Sequence, residues 1–393
     1  MATLRKMVFW LHLSAGAVAG IVILVMSVTG VVLAYEKQIV AWADRDFRTP
    51  PPSANAARLP IEALLANARA ASPTNTMTGF TLRSAPQLPV LVSFGREKTL
   101  FVNPYSGEVL GEGSKKIRAF MHLMIDWHRW LGMEGEQRPI GKAITGACNL
   151  AFLFLVVSGF YLWFPRQWSM KVFRSVSLFG RGLRGKARDW NWHNVIGFWS
   201  ALPLFFIVST AVFFSYPWAT PLLYRAFGEE PPPARPAEQG GARRGIGLRS
   251  REVKFDGLND LVARAQKAAA DWKTITMRMG APTAPVVFVI DSGDGGQPNR
   301  KLQVSIDRKS GEVSGTETYA SYSTARKVRL WSRWIHTGEA GGWIGQAIGL
   351  LASAGGVVLV WTGISLAIRR LIAARTKSRT EAVEPVRSEV QNL

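Results

Sequence analysis

Cysteine is almost absent from the chain, and histidine is scarce. The 393 residues contain one cysteine, Cys148, and five histidines. A single cysteine excludes an intramolecular disulfide, and the lack of a Cys-x-x-Cys-His motif argues against covalent haem attachment. The sequence also lacks a nucleophile elbow, a phosphate-binding glycine loop and a His-Glu-x-x-His motif. We therefore interpret Cys148 as a small packing residue and look for function elsewhere.

Charged residues are missing from four long stretches that are rich in Leu, Val, Ile, Phe, Trp and Gly. No Asp, Glu, Lys or Arg occurs in 7–35, 143–165, 190–224 and 340–368. A helix needs about 20 apolar residues to cross a hydrocarbon core of about 30 Å. The sequence therefore predicts four transmembrane helices. The first stretch is also compatible with a cleaved signal peptide, but its apolar run exceeds the usual length of about 7–15 residues, which favours an uncleaved span.

Acidic residues are outnumbered, with 27 Asp and Glu against 48 Lys and Arg and a formal net charge of +21. The excess lies in short segments, because the loop 166–188 is basic with no acid and the tail after 368 opens with several arginines. The long connections 36–138 and 225–339 mix both signs. Short basic loops mark the cytoplasmic side of a membrane. We therefore expect both termini to be cytoplasmic and the two long connections to lie on the outer side of the membrane. The basic segments should contact anionic lipid, and we do not expect the protein to bind nucleic acid.

The two outer connections resemble each other, which indicates a tandem repeat. The first contains "VNPYSGEVLG" at 102–111 and the second contains "IDRKSGEVSG" at 306–315. Strand-like runs precede each motif, and a helix-like segment precedes those runs, at 61–72 and 258–272. A helix followed by strands and an Asn/Asp-x-x-Ser-Gly turn predicts a small α+β domain in each half.

The spans repeat as well, and the repeat places four of the five histidines in two pairs. His12 and His193 each lie seventeen residues before a threonine in the first and third spans. His128 and His336 each lie just outside the outer end of the second and fourth spans. We call His12 and His193 the first pair and expect it at the inner membrane face, and we call His128 and His336 the second pair and expect it at the outer face.

Haem iron explains such pairs better than other metals do. Neutral imidazoles bind zinc, copper and haem iron, but structural zinc requires four ligands. Haem requires only two axial ligands, because the porphyrin supplies the other four. The alternative for any one histidine is an amphipathic anchor at the membrane surface. The sequence therefore predicts two b-type haems, one near each membrane face, with four histidine ligands to iron.

Other residues near the histidines have weaker assignments. Gly16 and Gly197 each follow a histidine of the first pair by four residues, where a side chain would block a porphyrin plane. Arg129 and Arg333 are candidates to bind haem propionates, or equally lipid headgroups. His122 lies six residues before His128, has no partner in the second half, and is interpreted as an interfacial or substrate-side residue.

The predicted fold class is a mainly α membrane protein with four transmembrane helices and two outer α+β domains in a tandem pseudo-repeat. Its segments are a first span (1–36), a first outer domain (37–120), an outer interface segment with His128 (121–138), a second span (139–165), a basic cytoplasmic loop (166–189), a third span (190–224), a linker and second outer domain (225–326), a second interface segment with His336 (327–341), a fourth span (342–368) and a basic tail (369–393).

The motifs "WHRWLG", "IHTGEAGGWIGQ" and "LHLSAGAVAGIVILVMSVTGVVLAYE", with the twin "SGEV" turns, resemble those of PepSY-associated transmembrane proteins. The resemblance covers nearly the whole chain and implies that the outer domains are PepSY-like. Members include bacterial inner-membrane reductases that carry b haems and take iron from ferric siderophores of the ferrioxamine type. Their motif histidines fall on His12, His128, His193 and His336. Some members carry a fused flavin and nicotinamide module, of which this sequence has no sign.

The resemblance and the histidine pairs together predict a di-haem oxidoreductase of the bacterial inner membrane, with both termini cytoplasmic. Electrons would pass from a cytoplasmic reductase or a membrane quinol to the ferric iron of a periplasmic siderophore, which makes the protein a ferric-siderophore reductase and releases Fe(II). One alternative keeps the haems but changes the acceptor to a redox protein or copper. A second alternative is a membrane-anchored binding or sensor protein with no redox role.

Overall fold

The computed structural model of the protein describes residues 2–95, 98–165, 167, 169–233, 257–278, 285–307 and 310–390. For residues 2 and 377–390 it describes only the backbone. Most of the predicted linker before the second outer domain, 234–256, and Arg166 of the basic loop lie outside the described residues.

Helices and strands alternate along the chain in an order that repeats once. The helices are α1 (Ala2–Leu33), α2 (Glu36–Ala43), α3 (Ile61–Ala70), α4 (Lys115–Trp130), α5 (Arg138–Trp163), α6 (Met170–Ser177), α7 (Gly185–Ser215), α8 (Ala219–Ala226), α9 (Leu258–Lys267), α10 (Thr324–His336) and α11 (Gly342–Val390). The strands are β1 (Met77–Arg83), β2 (Val90–Phe94), β3 (Lys98–Val102), β4 (Val109–Gly111), β5 (Thr274–Arg278), β6 (Val286–Asp291), β7 (Lys301–Ile306) and β8 (Val313–Thr318).

These elements form two compact units. The helical unit comprises Met1–Ala34, Leu123–Ala219 and Ile335–Leu393, and the sheet unit comprises Tyr35–His122 and Thr220–Trp334. Each unit is therefore assembled from both halves of the sequence, as a tandem repeat with intertwined halves requires.

Four helices of the helical unit are long and apolar enough to cross a membrane, which confirms the four predicted spans. They cover Thr3–Leu33, Gly135–Trp163, Gly185–Ser215 and Glu339–Thr376. In this bundle α1 and α7 each pack mainly against α5 and α11. Helices α1 and α7 are therefore diagonal neighbours across the bundle centre. Large apolar side chains such as Val18, Trp199 and Leu202 are more than half exposed on the outside of the spans, where lipid is the matching solvent.

The sheet unit contains one antiparallel sheet of eight strands, in the order β4-β3-β2-β1-β5-β6-β7-β8. Each half supplies four strands and the one helix that covers them, as the sequence repeat indicated. Two separate outer domains were expected, whereas the structure joins their strands into one sheet through β1 and β5. Helices α3 and α9 cover the sheet, and their buried Leu64, Leu65, Leu261 and Val262 share one apolar core with it.

The junction between the halves brings two backbones unusually close. Strands β1 and β5 pair in a register that aligns Gly79 with Arg278, Thr81 with Thr276 and Arg83 with Thr274. A Cβ atom on Gly79 would lie 2.3 Å from the Met277 carbonyl oxygen, so a larger residue would force the strands apart. The Thr81 and Thr276 hydroxyls meet at 3.1 Å.

The two Ser-Gly-Glu-Val motifs form matching turns, as predicted. Asn103 in the first turn and Asp307 in the second each accept hydrogen bonds from backbone N–H groups of the following residues. Gly107 and Gly311 close the turns with φ of 75° and 68°, a region that favours glycine. Local chemistry therefore ends β3 and β7 in the same way.

Candidate functional site: two histidine pairs in the helical unit

The first histidine pair faces across the centre of the bundle. His12 lies on α1 and His193 lies on the diagonal helix α7. Their ring centroids are 6.5 Å apart and the ring planes are nearly perpendicular, at 86°. The duplicated helices therefore bring two imidazoles from distant parts of the sequence to one point.

Two hydroxyl groups hold the rings of the first pair. The Ser158 hydroxyl lies 2.8 Å from His12 Nδ1, and the Thr362 hydroxyl lies 2.9 Å from His193 Nδ1. Each hydroxyl donates its single proton to the carbonyl four residues earlier, Phe154 at 2.6 Å and Val358 at 2.7 Å. It must therefore accept from Nδ1–H, which leaves the Nε2 lone pair of each histidine free to bind a metal.

Glycines next to these hydroxyls make room for the rings. A Cβ atom on Gly159 would lie 3.2 Å from His12 Cε1, and one on Gly363 would lie 3.3 Å from His193 Cε1. Both distances are tighter than ordinary contacts between carbon atoms. In each dipeptide the hydroxyl residue therefore orients the histidine ring, and the glycine that follows leaves space for it.

The second pair repeats this arrangement with one difference. His128 lies on α4 and His336 is the last residue of α10, with ring centroids 6.2 Å apart. The Thr29 hydroxyl lies 2.9 Å from His128 Nδ1 and donates to the Val25 carbonyl at 2.7 Å. His336 Nδ1 instead donates to the Ile207 carbonyl oxygen at 2.8 Å, since a carbonyl oxygen can only accept. All four histidines therefore carry their proton on Nδ1.

Burial keeps the second pair neutral. Desolvation lowers the pKa of His128 to about 4, and the neighbouring His336 adds to the shift. Burial likewise lowers the pKa of His336, against an opposing hydrogen bond to Ile207. Both rings are therefore uncharged at neutral pH, which is the form that binds a metal.

The second pair does not follow the sequence repeat strictly. The gapless match that relates Ser158 to Thr362 also relates His128 to Ser332, so His336 lies one helical turn further along. Thr29 is followed by Gly30, whereas the equivalent Thr210 is followed by Ala211. These departures accompany the change of partner from a threonine hydroxyl to a backbone carbonyl.

The separation between paired rings leaves room for one metal atom between the two imidazoles. A metal–nitrogen bond of about 2.0 Å and about 1.15 Å from nitrogen to ring centre place opposed imidazole centroids roughly 6.3 Å apart. The observed values of 6.5 and 6.2 Å lie on either side of this. Within the described part of the chain no cluster of three or more His, Cys, Asp and Glu side chains could hold a bare ion. A donor set of two neutral imidazoles fits haem iron.

The two pairs lie at different depths in the bundle. His12 and Thr29, the partner of His128, are seventeen residues apart on α1. A rise of 1.5 Å per residue separates them by roughly 25 Å along the helix axis. The helical unit therefore places one pair towards each end of the spans.

The other predicted site residues lie as follows. The Arg129 guanidinium lies over the Trp130 ring at 4.9 Å, and that of Arg333 lies over Trp334 at 5.0 Å. Arg129 follows His128 by one residue and Arg333 precedes His336 by three, so each projects from a similar side of its helix. Their assignment to propionates or lipid stays a prediction.

His122 is exposed on α4, away from the face that carries His128. A Cβ atom on Gly16 would meet Leu155 at 3.8 Å, and one on Gly197 would meet Leu359 at 3.6 Å, both ordinary contacts. The role of these two glycines in admitting a porphyrin stays a prediction.

Sequence reasoning missed the residues that orient the rings, namely Ser158, Thr362, Thr29 and the Ile207 carbonyl. The matched "SGFYLWFPR" and "TGISLAIRR" segments carried the signal for two of them. A small hydroxyl residue followed by glycine, which occurs in the spans opposite three of the four histidines, is the pattern that would have identified the three hydroxyl partners.

Comparison with known families shows which family the chain belongs to. A family model described as the PepSY-associated TM region matches residues 9–370. Comparison with curated proteins gives no match. The matched range contains both histidine pairs, the sheet unit, the second and third spans, and most of the first and fourth spans. The chain therefore belongs to the PepSY-associated transmembrane family.

Proposed function

We propose that this protein is a di-haem b oxidoreductase that carries electrons across a membrane. The observation that carries the proposal is the pairing of four imidazoles, each with a free Nε2, at ring separations of 6.5 and 6.2 Å. Their Nδ1 atoms are all engaged by hydroxyl or carbonyl oxygens. Such partners fix the ring orientation and raise the basicity of a metal ligand.

The residues of each pair would hold one haem from both sides. Bound haem supplies a one-electron couple between ferric and ferrous iron. The first pair holds the site towards one end of the spans, and the second pair holds the site towards the other. The apolar bundle excludes water from between them and lowers the local dielectric, which is a second control on potential.

The two histidines of each pair would hold one haem iron between them, so the haem would supply outer-sphere electron transfer in preference to oxygen activation. We propose that the acceptor is the ferric iron of a siderophore on the side of the second pair. Reduction to Fe(II) weakens binding by hard oxygen ligands and releases the metal. We further propose that the first pair lies towards the cytoplasm, in a bacterial inner membrane, with both termini cytoplasmic; the basic segment 166–188 supports this orientation.

A spectrum of the purified protein tests the proposal. We expect a red protein with a low-spin Soret band, two haems per chain by pyridine extraction, and sharp visible bands after reduction. The reduced protein should be reoxidised without oxygen by a ferric trihydroxamate. Parallel traces with a copper(II) complex and an oxidised redox protein distinguish other acceptors. A colourless protein would remove the redox proposal, and reoxidation only by the other acceptors would remove the siderophore.

The hydroxyl partners of the first pair should tune its reduction potential. In Ser158→Ala or Thr362→Ala the Nδ1–H loses its acceptor, the imidazole becomes a weaker donor, and the ferrous state gains relative stability. A hydrogen bond is worth about 1 kcal/mol, so we expect the potential of one haem to rise by roughly 40 mV. Redox titration of the visible bands measures this.

The matched control is Thr362→Ser, which retains the hydroxyl and should leave the potential of that haem unchanged. A potential that moves equally in Thr362→Ser and Thr362→Ala would show that the hydroxyl does not act through Nδ1.

A further inference from the structure

A mostly apolar cavity of about 980 Å³ opens on the helical unit beside the first histidine pair. It lies between α6, the segment 178–184 and the first turns of α7. Its lining includes Arg174, Leu178, Phe179, Leu183, Lys186 and Trp190. A cavity of this size accommodates a drug-sized ligand.

The walls of the cavity are held by buried hydrogen bonds. Asn191 on α7 donates to the carbonyls of Ser175 at 2.9 Å and Leu178 at 3.1 Å. The same side chain accepts from Gly180 N at 3.0 Å. Asn191 is 3% exposed, so its three bonds fasten α6 and the following segment onto α7.

Two tryptophans secure the end of α6 in the same way. Trp163 Nε1 donates to the Val176 carbonyl at 3.1 Å, and Trp199 Nε1 donates to the Ser177 carbonyl at 3.0 Å. The cavity is therefore a fixed part of the bundle.

The lining of the cavity on α7 ends shortly before His193, with Trp190 and Asn191. Lys186, Trp190 and His193 lie within about 60° of one another around α7. Trp190 precedes His193 by three residues, a rise of about 4.5 Å. A molecule bound against Trp190 would therefore lie about one helical turn from His193 along α7.

The lining combines a lipid-accessible wall with polar groups at one end. Leu178 and Phe179 are 53% and 58% exposed on a segment beside the spans. The Arg174 and Lys186 side chains can donate hydrogen bonds, and the Ser175 hydroxyl already donates to Val172 at 2.7 Å, so its oxygen can accept one. An aromatic ring with two oxygen substituents and an apolar tail matches this distribution.

We propose that this cavity binds a membrane quinol, which is the electron donor to the first pair. The inference rests on the di-haem function proposed above. Oxidation of one quinol to quinone breaks two O–H bonds and releases two electrons and two protons. The electrons reduce ferric iron held by the first pair in two successive one-electron steps, each after the previous electron has moved on. The protons pass to the water at the cavity mouth beside Lys186.

An anionic phospholipid is the alternative occupant, because its phosphate would be attracted to the positive charges of Arg174 and Lys186. The quinol is favoured because the apolar lining leads to Trp190, on the helix face of His193, where a lipid phosphate would gain nothing. The two occupants give different results below.

The test uses the full-length holoprotein in detergent. A photoreactive azidoquinone should label a peptide within 174–191, with short-chain ubiquinol and menaquinol as competitors. Both quinols should also reduce the haem bands anaerobically. Ala187→Trp fills the cavity and should lower both labelling and the reduction rate by about tenfold or more. Leu202→Trp, at a lipid-exposed position of the same helix, is the matched control and should behave like the unmodified protein.

Dithionite separates this inference from the function on which it rests. If dithionite reduces both haems in Ala187→Trp but quinol does not, the cavity is the quinol site. Quinol reduction at an unchanged rate in Ala187→Trp, or no reduction by either quinol in an unmodified protein that dithionite does reduce, overturns the inference alone. If an anionic phospholipid prevents the labelling and neither quinol does, the cavity is a lipid site. If Ala187→Trp fails to retain haem, Leu183→Arg places a charge in the same apolar wall.

Discussion

Replacing His128 with alanine is expected to halve the haem content of the protein. The second pair then retains only His336, and the loss of one of two iron–nitrogen bonds should weaken the retention of haem at that site. The first pair lies roughly 25 Å away along the bundle and should keep its haem. Pyridine extraction per mole of protein should therefore fall from two haems to one, and the reduced spectrum should retain one set of bands.

His122→Ala is the matched control for this experiment, because His122 lies on the same helix α4 but is exposed. It should retain both haems. Two haems in His128→Ala, or equal losses in the two variants, would contradict the assignment of the second pair as axial ligands.

Removing the other ligand of the second pair is expected to stop electron transfer across the membrane. Vesicles that contain His336→Ala and trapped dithionite should reduce an external, impermeant ferric chelate no faster than empty vesicles do. The reason is distance, since the first pair alone leaves most of a hydrocarbon core of about 30 Å to be crossed. The result does not depend on the orientation of the protein, because either direction requires both sites. The measurement is the absorbance of a ferrous chelator outside the vesicles.

Vesicles with unmodified protein or His122→Ala should reduce the external chelate well above this background. Rapid reduction by His336→Ala vesicles, with leakage excluded by a trapped dye, would mean that the second pair is not part of the electron path. The haem content of the same vesicles shows whether the first site remains loaded.

The sequence predicted most of the membrane architecture because each span is a local property. Charge-free runs of sufficient length need no knowledge of their neighbours, and each of the four contains a helix long enough to span a membrane, although the third helix ends at Ser215 rather than at the predicted 224. The Ser-Gly-Glu-Val turns were equally accessible, since Asn103 and Asp307 act on backbone groups two or three residues away.

The joined sheet was not accessible in this way. Nothing in β1 or β5 alone indicates that each strand pairs with the other, about two hundred residues apart. Both read as ordinary strands of separate domains, and only Gly79 marks a close backbone approach. Pairing of this kind depends on packing that no local pattern encodes.

The candidate site was partly accessible. The repeat predicted that His12 lies opposite His193, because duplicated helices related by symmetry bring equivalent positions together. The hydroxyls of Ser158 and Thr362 were not identified, since their function depends on which face of a neighbouring helix they share with a histidine. The sequence also did not predict that His336 lies one helical turn beyond the position equivalent to His128, which is Ser332 in a gapless alignment.

The pairing of Thr81 with Thr276 has an evolutionary consequence. The first strands of the two halves, β1 and β5, meet there in antiparallel register, as a pseudo-two-fold axis through the centre of the sheet would require. An ancestral chain of half the length would have exposed that strand edge, and a second copy would have covered it in the same register. Each metal site would then have drawn one histidine from either copy and formed only on dimerisation. Fusion of two such copies would have freed assembly from dependence on protein concentration and allowed the halves to diverge, as the difference between Gly30 and Ala211 illustrates.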